Sequence, residues 1–364
     1  MKNYLKVLKK TSLIILVWGS VVFLAAAQEM IRNPRKPVNP NAGRILKAEK
    51  IWQVGDQPGS YYFRYPHRLR VAPDGSIFIA DQEQLLKFSA GGQFLANFYK
   101  KGQGPGEIAD YFSYHLQGES LFVYDSVANK VIHMNLEGQL IKEVKLEKGP
   151  YSGFYGVSGG LLVFVKMTYP PSEKRTGGLH DVICSVRLLS PDGNEEKEAC
   201  VFKMKTFMAP QAMASWDPLH VLLGPDGRKL YVNHARNYLL EVFDLETGRL
   251  LFSFNRDYPP VKYVADPGRL EFMKKYNFPE IKYEIDIRGL FSDGKYIWVQ
   301  TSTESEEGYD LFDVFDDRGR FIDSFYSGLK GSVLAVYHNY IFALERDEKD
   351  NLFLGKYRLV DQIR

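Results

Sequence analysis

A second-strand motif that returns six times, a hairpin that returns five times and a repeat length a little over forty residues predict an all-β fold, a six-bladed β-propeller of four-stranded antiparallel blades. The motif reads SIFIAD from Ser76, SLFVYD from Ser120, LLVFVK from Leu161, KLYVNH from Lys229, YIWVQT from Tyr296 and YIFALE from Tyr340. These starts lie 44, 41, 68, 67 and 44 residues apart, so two intervals are enlarged by insertions. The hairpins are Leu85–Phe98, Val131–Val144, Ser185–Val201, Leu239–Phe254 and Leu311–Phe325, each with a glycine turn between two alternating runs.

One unit is clearest over Gly102–Val144. A Gly/Pro loop leads into the apolar segment Phe112–Leu116, a Gly118-Glu119 turn follows, and Leu121–Asp125 is bulky and β-branched. After the turn at Asp125–Asn129, Val131, His133 and Asn135 alternate with Lys130, Ile132 and Met134, and the Glu137-Gly138 turn opens the strand Leu140–Leu146. Gly104-Pro105-Gly106-Glu107 ahead of an inner strand, its degenerate partner Gly55–Ser60, and Asp125…Asn129-Lys130 with its echo Asn233…Asn237 make the chain resemble the six-bladed, NHL-repeat-type β-propellers over roughly residues 45–360. That resemblance implies the fold and no single activity, because enzymes and pure binding modules share it.

At the N-terminus, Lys2, Lys6, Lys9 and Lys10 precede the almost wholly apolar run Leu13–Leu24, and Ala25–Ala27 place small residues ahead of Gln28. Residues 1–27 therefore read as a secretory signal peptide; the other reading, a membrane anchor, is disfavoured by a run short for a bilayer span. The expected location is exported, periplasmic or extracellular, with no integral membrane segment after cleavage. Without residues 1–27 the chain carries 47 − 4 = 43 basic against 44 acidic side chains, a formal charge near −1. Nothing in that balance implies a nucleic-acid partner. A Pro/Asn-rich linker is expected over residues 28–44 and one closed domain over 45–364.

Ala48–Val54 is a lone strand, whereas the last repeat shows only three, in LAVYH, YIFALE and FLGKYRLV. The N-terminal strand is thus expected to complete the last blade and close the ring, which removes open sheet edges. Cys184 and Cys200 each lie eight residues from Asp192, the centre of a hairpin turn. They are expected to face each other and form a disulfide in an oxidising compartment, with buried free thiols as the other reading.

Insertions fall at residues 169–181, 203–218, 255–286 and 301–309. In an up-down meander the connections between second and third strands, and the crossovers between blades, emerge on one side of the disc. All four insertions are expected there, while the opposite face carries tight turns; the insertion face is the expected working surface. Within 255–286, Asp266 as N-cap and Pro267 as first residue predict one short helix, with Leu270, Met273 and Tyr276 pressed on the propeller.

The chain holds 23 tyrosines and 24 phenylalanines, many in the crossovers of the insertion face. Singly, such rings wedge between blades; as a group they suit stacking on sugars or gripping peptides. The candidate ligand-binding residues are Arg64, His67, Arg68, Tyr111, Trp216, His220, Asp286 and Arg288, at the starts of inner strands where a channel mouth is expected. Arg64, Arg68 and Arg288 suit a carboxylate or another anion, unless they pair with Asp217, Glu284 and Asp286.

No histidine pair has metal-ligand spacing such as HxxxH, no Gly-x-Ser-x-Gly elbow occurs, and the Gly102–Gly106 loop lacks the helix and donors of a phosphate cradle. Resemblance to amidating lyases of this fold type implies a zinc site at His67 and His220, and resemblance to gluconolactonase-like propellers implies calcium at Glu284 and Asp286. The expected function is a non-catalytic, cofactor-free, monomeric binding propeller for a peptide, glycan or partner protein; the alternative is a zinc- or calcium-dependent lyase or lactonase at the channel mouth.

Overall fold

The computed structural model describes residues 29–360; the expected signal peptide lies outside them. Three strands precede the first blade: β1 (Glu29–Asn33), β2 (Arg44–Ile45) and β3 (Lys47–Val54). Blade 1 is β4 (Pro66–Val71), β5 (Ile77–Asp81), β6 (Leu85–Phe88) and β7 (Phe94–Asn97). Blade 2 is β8 (Phe112–Gln117), β9 (Ser120–Asp125), β10 (Lys130–Asn135) and β11 (Leu140–Lys145). Blade 3 is β12 (Gly153–Ser158), β13 (Leu161–Thr168), β14 (Leu179–Leu189), β15 (Glu196–Ala209) and β16 (Ala212–Ser215). Blade 4 is β17 (His220–Leu223), β18 (Lys229–Asn233), β19 (Leu240–Asp244) and β20 (Leu250–Arg256). Blade 5 is β21 (Ile287–Ser292), β22 (Ile297–Glu304), β23 (Asp310–Phe315) and β24 (Phe321–Tyr326), and blade 6 is β25 (Ser332–Tyr337), β26 (Tyr340–Arg346) and β27 (Leu352–Val360).

The six sheets form a six-bladed propeller with one hydrophobic cluster at each blade-to-blade interface. The second-strand motif supplies the centre of each. Phe78, Val123, Phe164, Leu230, Val299 and Phe342 are all fully buried. Each large side chain removed from water in this way contributes about 1.5–3 kcal/mol, and the interfaces hold the ring together. As expected, β3 pairs antiparallel with β27, from Leu354↔Val54 to Val360↔Lys47, and supplies the outer strand of blade 6.

Blades 3, 4 and 5 differ from the expected four strands by carrying a fifth on their outer edge. In blade 3 it is β16: residues 203–218, expected as a loop, instead prolong β15 and fold back in register, Met208↔Met213. In blades 4 and 5 the extra strands are β1, parallel to β20, and β2, parallel to β24. The segment expected as a linker is therefore a rim belt that passes over blades 4 and 5 before β3 joins blade 6. Asn33 fastens it: its amide donates to the carbonyls of Asn255 at 2.9 Å and Gly319 at 2.8 Å, and its carbonyl oxygen accepts from the Phe321 amide at 2.9 Å.

The expected disulfide is absent. Cys184 and Cys200 are buried free thiols. Leu189 pairs with Glu196, and a bulge between Val186 and Arg187 shifts the ladder again, so Cys184 lies opposite Phe202 and Cys200 opposite Val186. The two cysteines are then diagonal neighbours, about 7–8 Å apart, too far for an unstrained bridge. A bulge recurs in the third-to-fourth-strand pairing of every blade, at Phe88, Met134, Arg187, Phe243, Phe315 and Tyr357. Counting residues from a turn centre overlooks it.

The helix α1 (Pro267–Tyr276) begins as expected, with the Asp266 carboxylate accepting from the Arg269 amide at 2.9 Å and Pro267 in the first turn. It does not press Leu270 on the propeller: Leu270 is 45% exposed and no helix residue is buried. Phe278, just beyond the helix, is the seat, with its ring 4.8 Å from Phe207 on β15 and 5.8 Å from Trp216.

Candidate functional site

The eight candidate residues do not share one channel mouth. Arg64, His67 and Tyr111 meet in a cleft of about 530 Å³ between blades 1 and 2, together with Tyr62, Tyr65, Gln82, Glu83, Asp110 and Phe112. Its walls are presented by the terminal aspartate of the second-strand motif. Asp81, fully buried, accepts from the amides of Arg64 and Tyr65 at 2.7 Å each, which fixes the crossover entering blade 1. In blade 2, Asp125 does the same for Ala109 at 2.7 Å and for Val127 and Ala128 at 2.9 Å. Burial pushes the Asp81 pKa up, and the two amide bonds work against that. Asp81 and Asp125 are thus crossover anchors, and the crossovers they hold display Tyr62, Tyr65 and Tyr111 along the cleft.

Within this cleft the Arg64 guanidinium lies 4.7 Å above the Tyr62 ring. The His67 Nδ1 lies 2.8 Å from the Tyr65 carbonyl oxygen. Tyr65 and Tyr111 are 71% and 75% exposed, far more than rings that wedge between blades. Glu83 pairs with Lys101, and Asp110 adds a second carboxylate to the wall. Flat aromatic faces beside a guanidinium and carboxylates can stack on a ring and hydrogen-bond its polar edge.

Trp216 and Asp286 lie instead in a cleft of about 320 Å³ between blades 4 and 5, with Arg236, Tyr283 and Glu284. Arg236, which sequence reasoning missed, organises it: the guanidinium lies 4.9 Å from the Trp216 ring and donates to the carbonyls of Trp216 at 2.9 Å and Tyr283 at 2.6 Å. Asp286 accepts from the Tyr238 amide at 2.8 Å, and burial raises its pKa. His220 approaches the Ile287 carbonyl at 3.2 Å on the neighbouring inner strand, and burial lowers its pKa. Arg288 is paired with Glu304 at 2.6 Å and Asp310 at 3.7 Å, so it is compensated, though by other carboxylates than those expected. Arg68 stays on the inner strand of blade 1, apart from both clefts. Among the described residues no three His, Cys, Asp or Glu side chains converge as a metal site would require.

A cavity of about 610 Å³ opens on the opposite face between blades 4 and 5, lined by Asp226, Tyr231, Tyr296, Asp316, Asp317 and Arg320 among others. The Tyr231 hydroxyl is buried there without a hydrogen-bond partner among the described residues.

The sequence model of the DUF5128 family, a 6-bladed β-propeller, matches residues 59–182, blade 1 through the first two strands and the start of the third in blade 3. A solved structure of a candidate exported protein from Bacteroides fragilis NCTC 9343 is similar at 14% identity and a TM-score of 0.54, covering 91% of this chain and 100% of that one. A DUF4221-family member from Bacteroides vulgatus ATCC 8482 is similar at 13% identity and a TM-score of 0.56, covering 87% and 98%. No curated protein matches the chain. At such identities the likeness concerns the fold: this is a six-bladed β-propeller. Among the described residues no helix is long and apolar enough to cross a membrane.

Proposed function

We propose that the protein is an exported, non-catalytic binding propeller of NHL-repeat type, acting as a monomer, whose insertion face recognises a peptide, glycan or partner protein. The cleft between blades 1 and 2 is its centre. The observation that carries this reading is the trio Tyr62, Tyr65 and Tyr111, which rims a cleft of about 530 Å³ instead of filling a blade interface. Solvent-exposed rings around a concave, charged floor are a cost to a surface with nothing to bind and an asset to one that has a partner. The N-terminal sequence and the likeness to a candidate exported protein support the exported location.

The alternative, a zinc- or calcium-dependent lyase or lactonase, needs at least three converging ligands. His67 lies in one cleft, Glu284 and Asp286 in another, and His220 against a backbone carbonyl, so no observation favours it.

Glycan and peptide arrays probed with the purified protein test the reading, followed by titration of each captured ligand. Tyr65→Ala with Tyr111→Ala should weaken capture about thirtyfold, the effect of losing a central aromatic anchor of roughly 2 kcal/mol. Trp216→Ala reports on the rest of the insertion face. Capture that is indifferent to the tyrosine pair and lost in Trp216→Ala would move the site to the cleft of blades 4 and 5; indifference to all of them would end the assignment to this face.

A further inference from the structure

The inner strands β4, β8, β12, β17, β21 and β25 contact one another in sequence around the axis. Two arginines of β4 stand out there. Arg70 donates to the Leu69 carbonyl at 3.3 Å and forms no ion pair among the described residues. The Arg68 side chain forms neither a hydrogen bond nor an ion pair among the described residues, and its backbone is held at φ +52 in the bulge between His67 and Arg70. Tyr114 of blade 2 locks that conformation by donating its hydroxyl to the carbonyls of Arg68 and, at 2.7 Å, Phe78.

Two further features place this pair beside the axis. His115 of blade 2 is close enough for the Arg70 charge to act on it, and its Nδ1 is buried without a partner among the described residues. The ring reaches across the ring of blades: a Cβ at Gly156 of blade 3, φ +150, would lie 3.1 Å from His115 Cε1 and Nε2 and 2.9 Å from Leu223 Cδ2 of blade 4. Arg68 in turn acts on Tyr155 of blade 3.

A guanidinium does not shed its proton in a protein. Burial, the dominant influence on Arg70, opposes its charge, and neighbouring Arg68 opposes it further. Arg68 and Arg70 are half-buried; two like charges with no carboxylate between them, beside an unpartnered buried imidazole nitrogen, carry a cost. An anion removes it.

We propose that the axial channel holds one small anion, a carboxylate or an inorganic oxyanion, gripped by the guanidinium groups of Arg68 and Arg70 and by the ring N–H of His115. Compact tetrahedral or planar oxygens suit two guanidinium forks and one neutral donor. The site is separate from the tyrosine cleft and stands whether or not that cleft binds a partner.

Sodium phosphate and sodium acetate, each titrated to about 10 mM in zwitterionic buffer, test it by thermal unfolding and isothermal titration calorimetry. The expected result is a saturable rise of a few °C with one anion per chain. Arg70→Gln should lose that rise, and without added anion should melt no lower than the parent because an uncompensated charge is gone. Saturation by phosphate alone identifies an inorganic ligand, by acetate alone the carboxylate of a larger one, and by both the shared chemistry. A rise of equal size in Arg70→Gln, or no saturable heat from the parent with either salt, would overturn the proposal; the second holds even if the variant fails to fold.

Discussion

Arg44 meets Asp323 fork to fork, Nη1 to Oδ1 and Nη2 to Oδ2 at 2.9 Å each, and so ties the N-terminal rim belt to the outer strand of blade 5. Both side chains are about four-fifths shielded from solvent. The contact belongs with Asn33, whose three hydrogen bonds join blades 4 and 5. Together they make residues 29–45 part of the ring's closure.

The belt should therefore be felt in stability. Arg44→Ala is expected to cost about 1 kcal/mol and Asn33→Ala about 1–3 kcal/mol, since the latter leaves backbone groups of both blades without partners. Urea midpoints check this. A chain lacking residues 29–44 that unfolds at the parent's midpoint would show the belt to be a passive wrapping.

Inside the same pair of blades, Arg256 and Asp313 form a buried ion pair at 2.6 Å, to which Tyr238 and Ser324 each donate a hydrogen bond at 2.8 Å. Removing one partner leaves the other charged and buried. Asp313→Ala should lower stability by about 3–5 kcal/mol, and Asp313→Leu combined with Arg256→Met should recover much of it. Denaturation of the two single variants and the double variant measures the coupling.

The thiols make a separate test of the register. Burial pushes the Cys184 pKa up to about 11 and, with the charges of Glu241 and Glu198, the Cys200 pKa up to about 12. The folded protein should leave a thiol-specific reagent unreacted at pH 8, and both cysteines should react after unfolding without any reductant. A requirement for reductant would mean a disulfide.

Much of this arrangement is legible in the sequence, and the parts that are not share a physical cause. SIFIAD and SLFVYD end in Asp81 and Asp125, which hold the crossovers into blades 1 and 2 through backbone N–H groups, so this part of the motif could be read. Asp266-Pro267 shows a helix start because capping is local chemistry. The pairing of Glu29–Asn33 with β20 rests on backbone hydrogen bonds that no side-chain period marks, so a belt reads as a linker. Cys184 and Cys200 miss each other through a hairpin register shifted by one residue at the turn and by one more at the bulge. Arg70 looks like any polar residue of an alternating strand, since one sequence does not say which side chains meet at an axis. Arg236 had a signal in the Asn233…Asn237 echo, the turn in which it lies, but no hint of the tryptophan it covers.

Tyr231 was the most visible of the overlooked residues. Blades 1, 2 and 6 place Phe78, Phe122 and Phe342 at its position in the motif, and Trp298 of blade 5 donates its indole N–H to Asp293 at 3.0 Å. Among the aromatic residues at this position Tyr231 alone carries a hydroxyl, and it is buried without a hydrogen-bond partner among the described residues, at the edge of the opposite-face cavity. Tyr231→Phe should raise stability by about 1 kcal/mol by relieving that group. A loss of comparable size, read from thermal unfolding, would show that the hydroxyl has an ordered partner.

Stability should also depend on pH through His115. Burial, aided by Arg70, holds its pKa at about 3 in the folded chain, against about 6.5 when unfolded. Between those values the unfolded chain binds a proton that the folded chain refuses, so the contribution is complete above about pH 6.5 and falls by roughly 1.4 kcal/mol per unit as pH drops below it. His220, whose pKa burial also lowers, acts in the same direction. Unfolding free energies measured from pH 7 to 4.5 in anion-poor buffer should slope accordingly, and His115→Gln should flatten the slope by about one proton's worth. Bound phosphate should flatten it as well, because an anion beside the ring makes the imidazolium tolerable in the fold. A parent profile that His115→Gln leaves unchanged would place the proton elsewhere and remove His115 from the axial cluster's electrostatics.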